Sequence, residues 1–189
     1  MDVLKDLILA VDLFQKLNYR NHVFRIAGFL NIILRKIANI SIANYSPVVN
    51  TRRIIYADNK CVLLRSTYYV FQMYKPCKEG VSIFAQIECP RLEKSIDLAL
   101  DVAAVKVNIN RIYLFVINRA LDDLICQISI PGFDVKSSSG TILTAESLKS
   151  YNSFENPGKI YPRDFEINVS GEKFKISFPK HSLSVLLLE

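Results

Sequence analysis

From Val81 to Leu187, short runs of apolar residues recur at every second position, and this period constrains the fold more than any other feature of the chain. The runs are Val81, Ile83 and Ala85; Ile96, Leu98 and Leu100; Ile112, Leu114 and Val116; and, three apart rather than two, Ile125 and Ile128. They continue as Phe165, Ile167 and Val169; Phe174, Ile176 and Phe178; Leu183, Val185 and Leu187. A spacing of two puts side chains on one face of a strand. Turn-forming residues separate the runs at Pro131-Gly132, Ser137 to Gly140 and Ser170-Gly171. Seven or eight short strands so punctuated predict an antiparallel sandwich or jelly roll.

Before Pro76 the texture is helical. Leu4, Leu7, Ile8, Val11 and Phe14 follow a helical period, predicting a helix that ends near Asn18. Residues His22 to Ala38 predict a stronger one, with Val23, Ile26, Ala27, Leu30, Ile33, Leu34 and Ile37 on one broad face. A stripe of that width implies burial on more than one side. Ile40 to Ala43 reads as a short strand, Ile54 to Ala57 as an extended segment and Asp58-Asn59 as a turn. Thr67 to Tyr74 reads as a short helix with Ser66 as its N-cap. The fold class is therefore α+β, divided into residues 1–76 and 77–189. The β-region is expected to be soluble without the first part.

Composition narrows the function. A chain of 189 residues, 50% of them apolar, can bury a substantial core. The net charge of +6 invites nucleic acid as a partner, but the basic residues are scattered, with Arg35-Lys36 and Arg52-Arg53 the only adjacent pairs. Nucleic-acid binding is accordingly not expected. Cys61, Cys77, Cys89 and Cys126 contain no CxxC pair and read as buried free thiols rather than zinc ligands. The first residues lack a basic leader pattern, and no apolar run approaches the roughly 20 residues that span a bilayer. The chain reads as cytoplasmic, so the sequons at Asn39, Asn44 and Asn168 are incidental. No membrane partner and no cofactor are expected: none of the six glycines forms a dinucleotide or phosphate-binding loop. His22 and His181 have no serine or cysteine in a nucleophile-elbow context and read as surface or capping residues.

The order Ala27, Phe29, Leu30, Asn31, Arg35, Ala43, Asn44 and Asn50, then Thr67, Tyr69, Val70, Phe71, Met73 and Tyr74, holds over about fifty residues. It resembles the last helix-strand-helix of the catalytic barrel of the α-L-arabinofuranosidases, retaining glycoside hydrolases. The text from Ile142 to Ile160 and the ending FPKHSLSVLLLE resemble that family's C-terminal β-domain more loosely. The resemblance implies an N-terminal remnant of a (β/α)8 barrel followed by the sandwich, and a role in hydrolysing terminal arabinofuranosides. It also implies that both catalytic glutamates lie on earlier barrel strands, and no residue here matches either.

A complete barrel takes about 250 residues, or at least roughly 200, so this chain cannot hold one beside its β-region. Retaining hydrolysis needs two carboxyls about 5–5.5 Å apart. Glu79, Glu88, Glu93, Glu146, Glu155, Glu166, Glu172 and Glu189 all fall after the barrel-like part and read as solvated charges, while Asp2, Asp6, Asp12 and Asp58 fall in a helical pattern or a turn. No catalytic residue is assigned. Asn44 is the one substrate-binding candidate, because the C-terminal end of a barrel strand faces the active site. The plainer reading of Asn44 is a turn before Pro47. The resemblance further implies a sugar-contacting Gln two residues beyond Tyr45, where Pro47 stands and can supply no such hydrogen bond.

The expected partners are a separate chain carrying the rest of the barrel, or another copy of this one, with an arabinose-containing oligosaccharide bound by the assembly. The alternatives are a non-catalytic β-sandwich that binds carbohydrate or protein, and a remnant without activity. Tyr113, Tyr151 and Tyr161, the aromatics such a module would use, form no row at strand spacing.

Overall fold

The computed structural model describes residues 22–46, 48–50, 54–86, 88–92, 97–147 and 149–189. The helix expected at Leu4 to Leu17, together with Pro47, Arg52-Arg53, Glu93 and Ile96, lies outside them.

The core is a six-stranded antiparallel sheet in the order β3-β4-β5-β10-β7-β8. Its strands are β3 (Val81–Ile83), β4 (Leu100–Asn108), β5 (Arg111–Asn118), β7 (Ser138–Thr144), β8 (Arg163–Asp164) and β10 (Ser182–Leu188). A two-stranded ribbon of β6 (Leu124–Ser129) and β9 (Lys173–Phe178) forms the second layer. The predicted antiparallel sandwich is what the chain forms.

Period two decides which layer each side chain enters. Leu100 and Ala104 of β4, Ile112, Leu114 and Val116 of β5, and Leu186 and Leu188 of β10 pack with Phe174, Ile176 and Phe178 of the ribbon. Intervening residues of the same strands, Ala103 and Val105, Phe115 and Ile117, Leu183 and Val185, point the opposite way. Asn118 ties the layers at one end, its Nδ2 donating to the Phe178 carbonyl at 2.9 Å.

That opposite face carries the helices. Helix α1 (His22–Arg35) and helix α2 (Ser66–Met73) lay Ile26, Ala27, Val70, Met73 and Tyr74 into one cluster with Phe115, Ile117, Leu143 and Leu183. The Tyr74 ring stacks on Phe115 at 4.5 Å between centroids. Residues on both sides of position 77 thus share one core, so the central strands are covered on both faces. The expectation that 77–189 stands by itself has to be revised, since its sheet has a second apolar face that the helices shield from water.

Several local expectations change for physical reasons. Residues 40–46 form no strand, and Ile42 is 77% exposed. A strand needs neighbours for its backbone groups, and among the described residues none stands beside this one. The extended segment at Ile54 to Ala57 becomes β1 (Ile55–Ala57), paired with β2 (Val62–Leu64), a strand the sequence did not suggest. Asp58 makes the turn between them, its Oδ1 accepting the Lys60 and Cys61 amides at 2.7 and 2.8 Å. Ser66 is the first residue of α2 rather than its cap; extended Arg65 takes the N-cap position without a side-chain bond.

Ser138 to Gly140, read as a turn, begin β7. Gly140 is needed there because a Cβ would stand 2.7 Å from the Phe165 carbonyl oxygen of the crossing chain. In contrast, Gly132 does occupy a turn, with φ of 75°, while Gly171, with φ of 83°, forms an isolated antiparallel bridge with Val135. Strand β4 was missed because a strand buried on both faces reads as a continuous apolar run, not an alternation. Cys61 is exposed, not buried; the other three thiols are half-buried, and all four are free. Burial pushes the Cys77 thiol up to about 12, so it stays protonated and packs as a small apolar group.

Candidate functional site

Asn44, the substrate-binding candidate, is exposed in the irregular segment 40–46. Its neighbour Tyr45 holds that segment against α2, with its ring 5.2 Å from that of Phe71. The glutamates do not converge. Glu88, Glu146, Glu155, Glu166 and Glu172 are exposed, and Glu189 pairs with Arg111 at 2.5 Å. Among the described residues no cluster of His, Cys, Asp and Glu could hold a metal ion, and no helix is long and apolar enough to cross a membrane. His22 opens α1, and His181 takes a left-handed φ of 50° where the chain passes from β9 to β10.

One acid stands apart. Asp101, second residue of β4, points to the helix side and its side chain is only 9% exposed. Asp101 Oδ1 accepts from Arg35 Nη1 at 2.5 Å and from Asn31 Nδ2 at 3.1 Å; Oδ2 accepts from Arg119 Nη2 at 2.5 Å. Both oxygens thus accept from two cations and an amide. The chemistry this arrangement can perform is structural. It locks α1 onto the sheet, and Arg35 adds a second bond of 2.7 Å to the Val102 carbonyl.

The network continues inward. Tyr74 donates to Asn31 Oδ1 at 2.6 Å, and its oxygen lies 3.1 Å from the Ala27 carbonyl. Asn31 is therefore satisfied on both ends of its amide although it is fully buried. Gly28, one turn before, gives the network room: a Cβ there would meet Arg119 Nη2 at 2.8 Å. The apolar-periodicity reading of α1 passed over Asn31, and the resemblance marked Asn31, Arg35 and Tyr74 as matches without a reason. An amide breaking a broad apolar stripe, with an arginine one turn on, is the sequence signal for such a lock. Nothing in sequence spacing pointed to Asp101 or Arg119, of which Asp101 lies 70 residues from Asn31 and 66 from Arg35 and Arg119 lies further still.

Burial, and then the Asp101 charge, holds the Tyr74 phenol well above its ordinary value of 10.0. Because the folded value is raised, the contribution is fully present below pH 10 and is lost as pH rises through the folded value. Tyr74→Phe is expected to lose about 1–2 kcal/mol at neutral pH by leaving Asn31 Oδ1 unpaired. It should also lose less stability than the parent on going from pH 9 to above 10. Urea midpoints across that range are the check, and parallel curves for the two proteins would contradict the assignment.

A second concavity lies beyond the helices on the same sheet face. Its floor is Tyr113 of β5, Val185 and Leu187 of β10, and Ser139 and Thr141 of β7. One wall is α2, through Tyr69, Gln72 and Met73, and the other is the loop carrying Gly158, Tyr161 and Pro162. The cleft measures about 670 Å³. Tyr113 and Tyr161, which form no row in the sequence, are brought together here, whereas Tyr151 is not among the lining residues.

Comparison with known proteins adds the context. The family model described as alpha-L-arabinofuranosidase C-terminal domain matches residues 13–182. The chain is 26% identical over 166 residues to the intracellular exo-alpha-L-arabinofuranosidase of Bacteroides ovatus, covering 85% of this chain and 32% of that protein. It is similar to the crystal structure of the GH51 arabinofuranosidase from Xanthomonas axonopodis pv. citri, with a TM-score of 0.83 and 25% identity over 88% of this chain and 35% of that one. The thermostable GH51 enzyme of Thermotoga petrophila RKU-1 shares the fold, at a TM-score of 0.73 and 20% identity over 88% of this chain and 38% of its own. The chain spans about a third of the length of the relatives it matches.

Proposed function

Since the chain belongs to the α-L-arabinofuranosidase C-terminal domain family, we propose that it works as the C-terminal part of an enzyme hydrolysing terminal α-L-arabinofuranosides, in company with a catalytic barrel that supplies both glutamates. The observation that carries this reading is the surface of residues 37–62. Ile37, Ile42, Val48, Val49, Tyr56 and Val62 are all exposed there. So many large apolar side chains within one short stretch mark a surface that expects a protein neighbour. A barrel carrying the missing strands covers it and pairs residues 40–46 as a strand. Another copy of this chain could cover the apolar groups but would bring no catalytic carboxylates.

In this assembly residues 1–76 are the barrel-end piece and 77–189 the sandwich. Asn44, at the end of the 40–46 segment, is then the residue that reaches the arabinose. The chain acts in the cytoplasm, as the name of the Bacteroides ovatus relative suggests for that protein.

The test is co-expression with a polypeptide carrying the earlier barrel strands and their two glutamates, assayed on an aryl arabinofuranoside. The pair is expected to release arabinose, and this chain alone to release none. Asn44→Ala in the active pair should lower kcat/KM about tenfold, the worth of one hydrogen bond to a substrate hydroxyl. Turnover by the lone chain, abolished by a single carboxylate substitution within it, would overturn the proposal.

A further inference from the structure

We propose that the tyrosine-lined cleft between α2, the sheet and the 158–162 loop binds a short neutral oligosaccharide. Its volume of about 670 Å³ falls within the ~300–1,000 Å³ range of small-molecule sites. Among the described residues no charged side chain lines it, although the chain carries a net charge of +6. That absence argues against a phosphate or other anion, which a basic protein would hold with its lysines and arginines.

Beside the aliphatic Met73, Pro76, Pro162, Val185 and Leu187, two kinds of group line it. Tyr69, Tyr113 and Tyr161 contribute aromatic rings, each with a hydroxyl, from three separate elements. Gln72, Ser139 and Thr141 add an amide and two hydroxyls. Apolar faces edged with neutral donors and acceptors match a sugar, whose ring presents C–H faces and a rim of hydroxyls. A purely apolar ligand would leave those polar groups unpaired, at a cost. The exposed ring, Tyr161, is held by Arg163, whose guanidinium carbon stands 5.0 Å from its centroid. A restrained ring loses little freedom on binding. This cleft is a site between α2 and the sheet for a sugar chain, separate from Asn44, and it rests on the arabinofuranosidase reading only for the choice of sugar.

The experiment is an NMR titration of the full isotope-labelled chain with linear arabinotriose, xylotriose and cellotriose. At least one is expected to shift the Gln72 and Thr141 amides saturably, with a roughly millimolar Kd. Tyr161→Ala and, independently, Gln72→Ala, both at solvent-exposed positions, should weaken that binding about three- to tenfold without altering the circular dichroism spectrum. No saturable shift with any trisaccharide at about 20 mM, or shifts that ignore both substitutions, overturns the proposal. Binding by a chain that fails to restore arabinose release to a barrel partner sinks the proposed function alone. Restored release without a shift sinks the cleft alone.

Discussion

A chain cut back to residues 77–189 is expected to aggregate, while the full chain stays folded. The deletion removes Ile26, Ala27, Val70, Met73 and Tyr74 from the helix-side core, all of them 7% exposed or less. Burying a large apolar side chain is worth roughly 1.5–3 kcal/mol. Four or five of these together match the ~5–15 kcal/mol that holds a whole domain folded. The loss is felt on both sides of the cut. Ala103, Val105, Phe115, Ile117 and Leu183 would face water as one contiguous apolar surface in the middle of the sheet. Size-exclusion chromatography and amide exchange of the truncated chain decide the matter. A monodisperse product with protected β5 and β10 amides would show that the sandwich needs no helical cover.

The second large effect is at Asp101. Asp101→Ala strands Arg35 and Arg119 beside one another and leaves Asn31 Nδ2 with only the longer 3.4 Å contact to the Asp101 backbone carbonyl. Removing one partner of a buried ion pair costs about 3–5 kcal/mol. The Arg35 and Arg119 side chains keep 36% and 28% exposure, so water recovers part of this, and about 2–4 kcal/mol is expected. Glu189→Gln is the contrast. Its bridge to Arg111 is 43% and 38% exposed, and water and salt screen such a pair so that it contributes little. Urea unfolding of the two variants should separate them clearly, with the Asp101→Ala chain also exchanging its α1 amides faster. Equal losses would mean that the Asp101 cluster is ordinary surface electrostatics.

The two halves of the chain were legible to different degrees. The strands β3, β5, β9 and β10 were visible as alternating apolar positions, and α1 as a broad stripe, because these patterns report burial directly. Strands β4 and β7 were not. The first is buried on both faces and loses its alternation; the second starts with Ser138, Ser139 and Gly140, whose composition mimics a turn. The segment at Ile40 to Ala43 failed for the opposite reason. Its residues have the propensity of a strand, but propensity yields to pairing, and the neighbours it would pair with are not among the described residues.

For the site, sequence resemblance picked out Asn31, Arg35 and Tyr74 without saying what they do, and left Asp101 and Arg119 unremarked. The binding-module alternative named Tyr113, Tyr151 and Tyr161 but could not align them, since Tyr113 and Tyr161 reach a common cleft from β5 and from a loop that crosses beside β7. The sequence by itself determined the family and the antiparallel class, because both are written in local spacing or in residue identity. Only the tertiary structure decided that the helices cover the sheet, that an aspartate 9% exposed fastens α1 to it, and that three tyrosines line one cleft. These are contacts between residues far apart in the chain, and no local period encodes which distant partner a side chain will find.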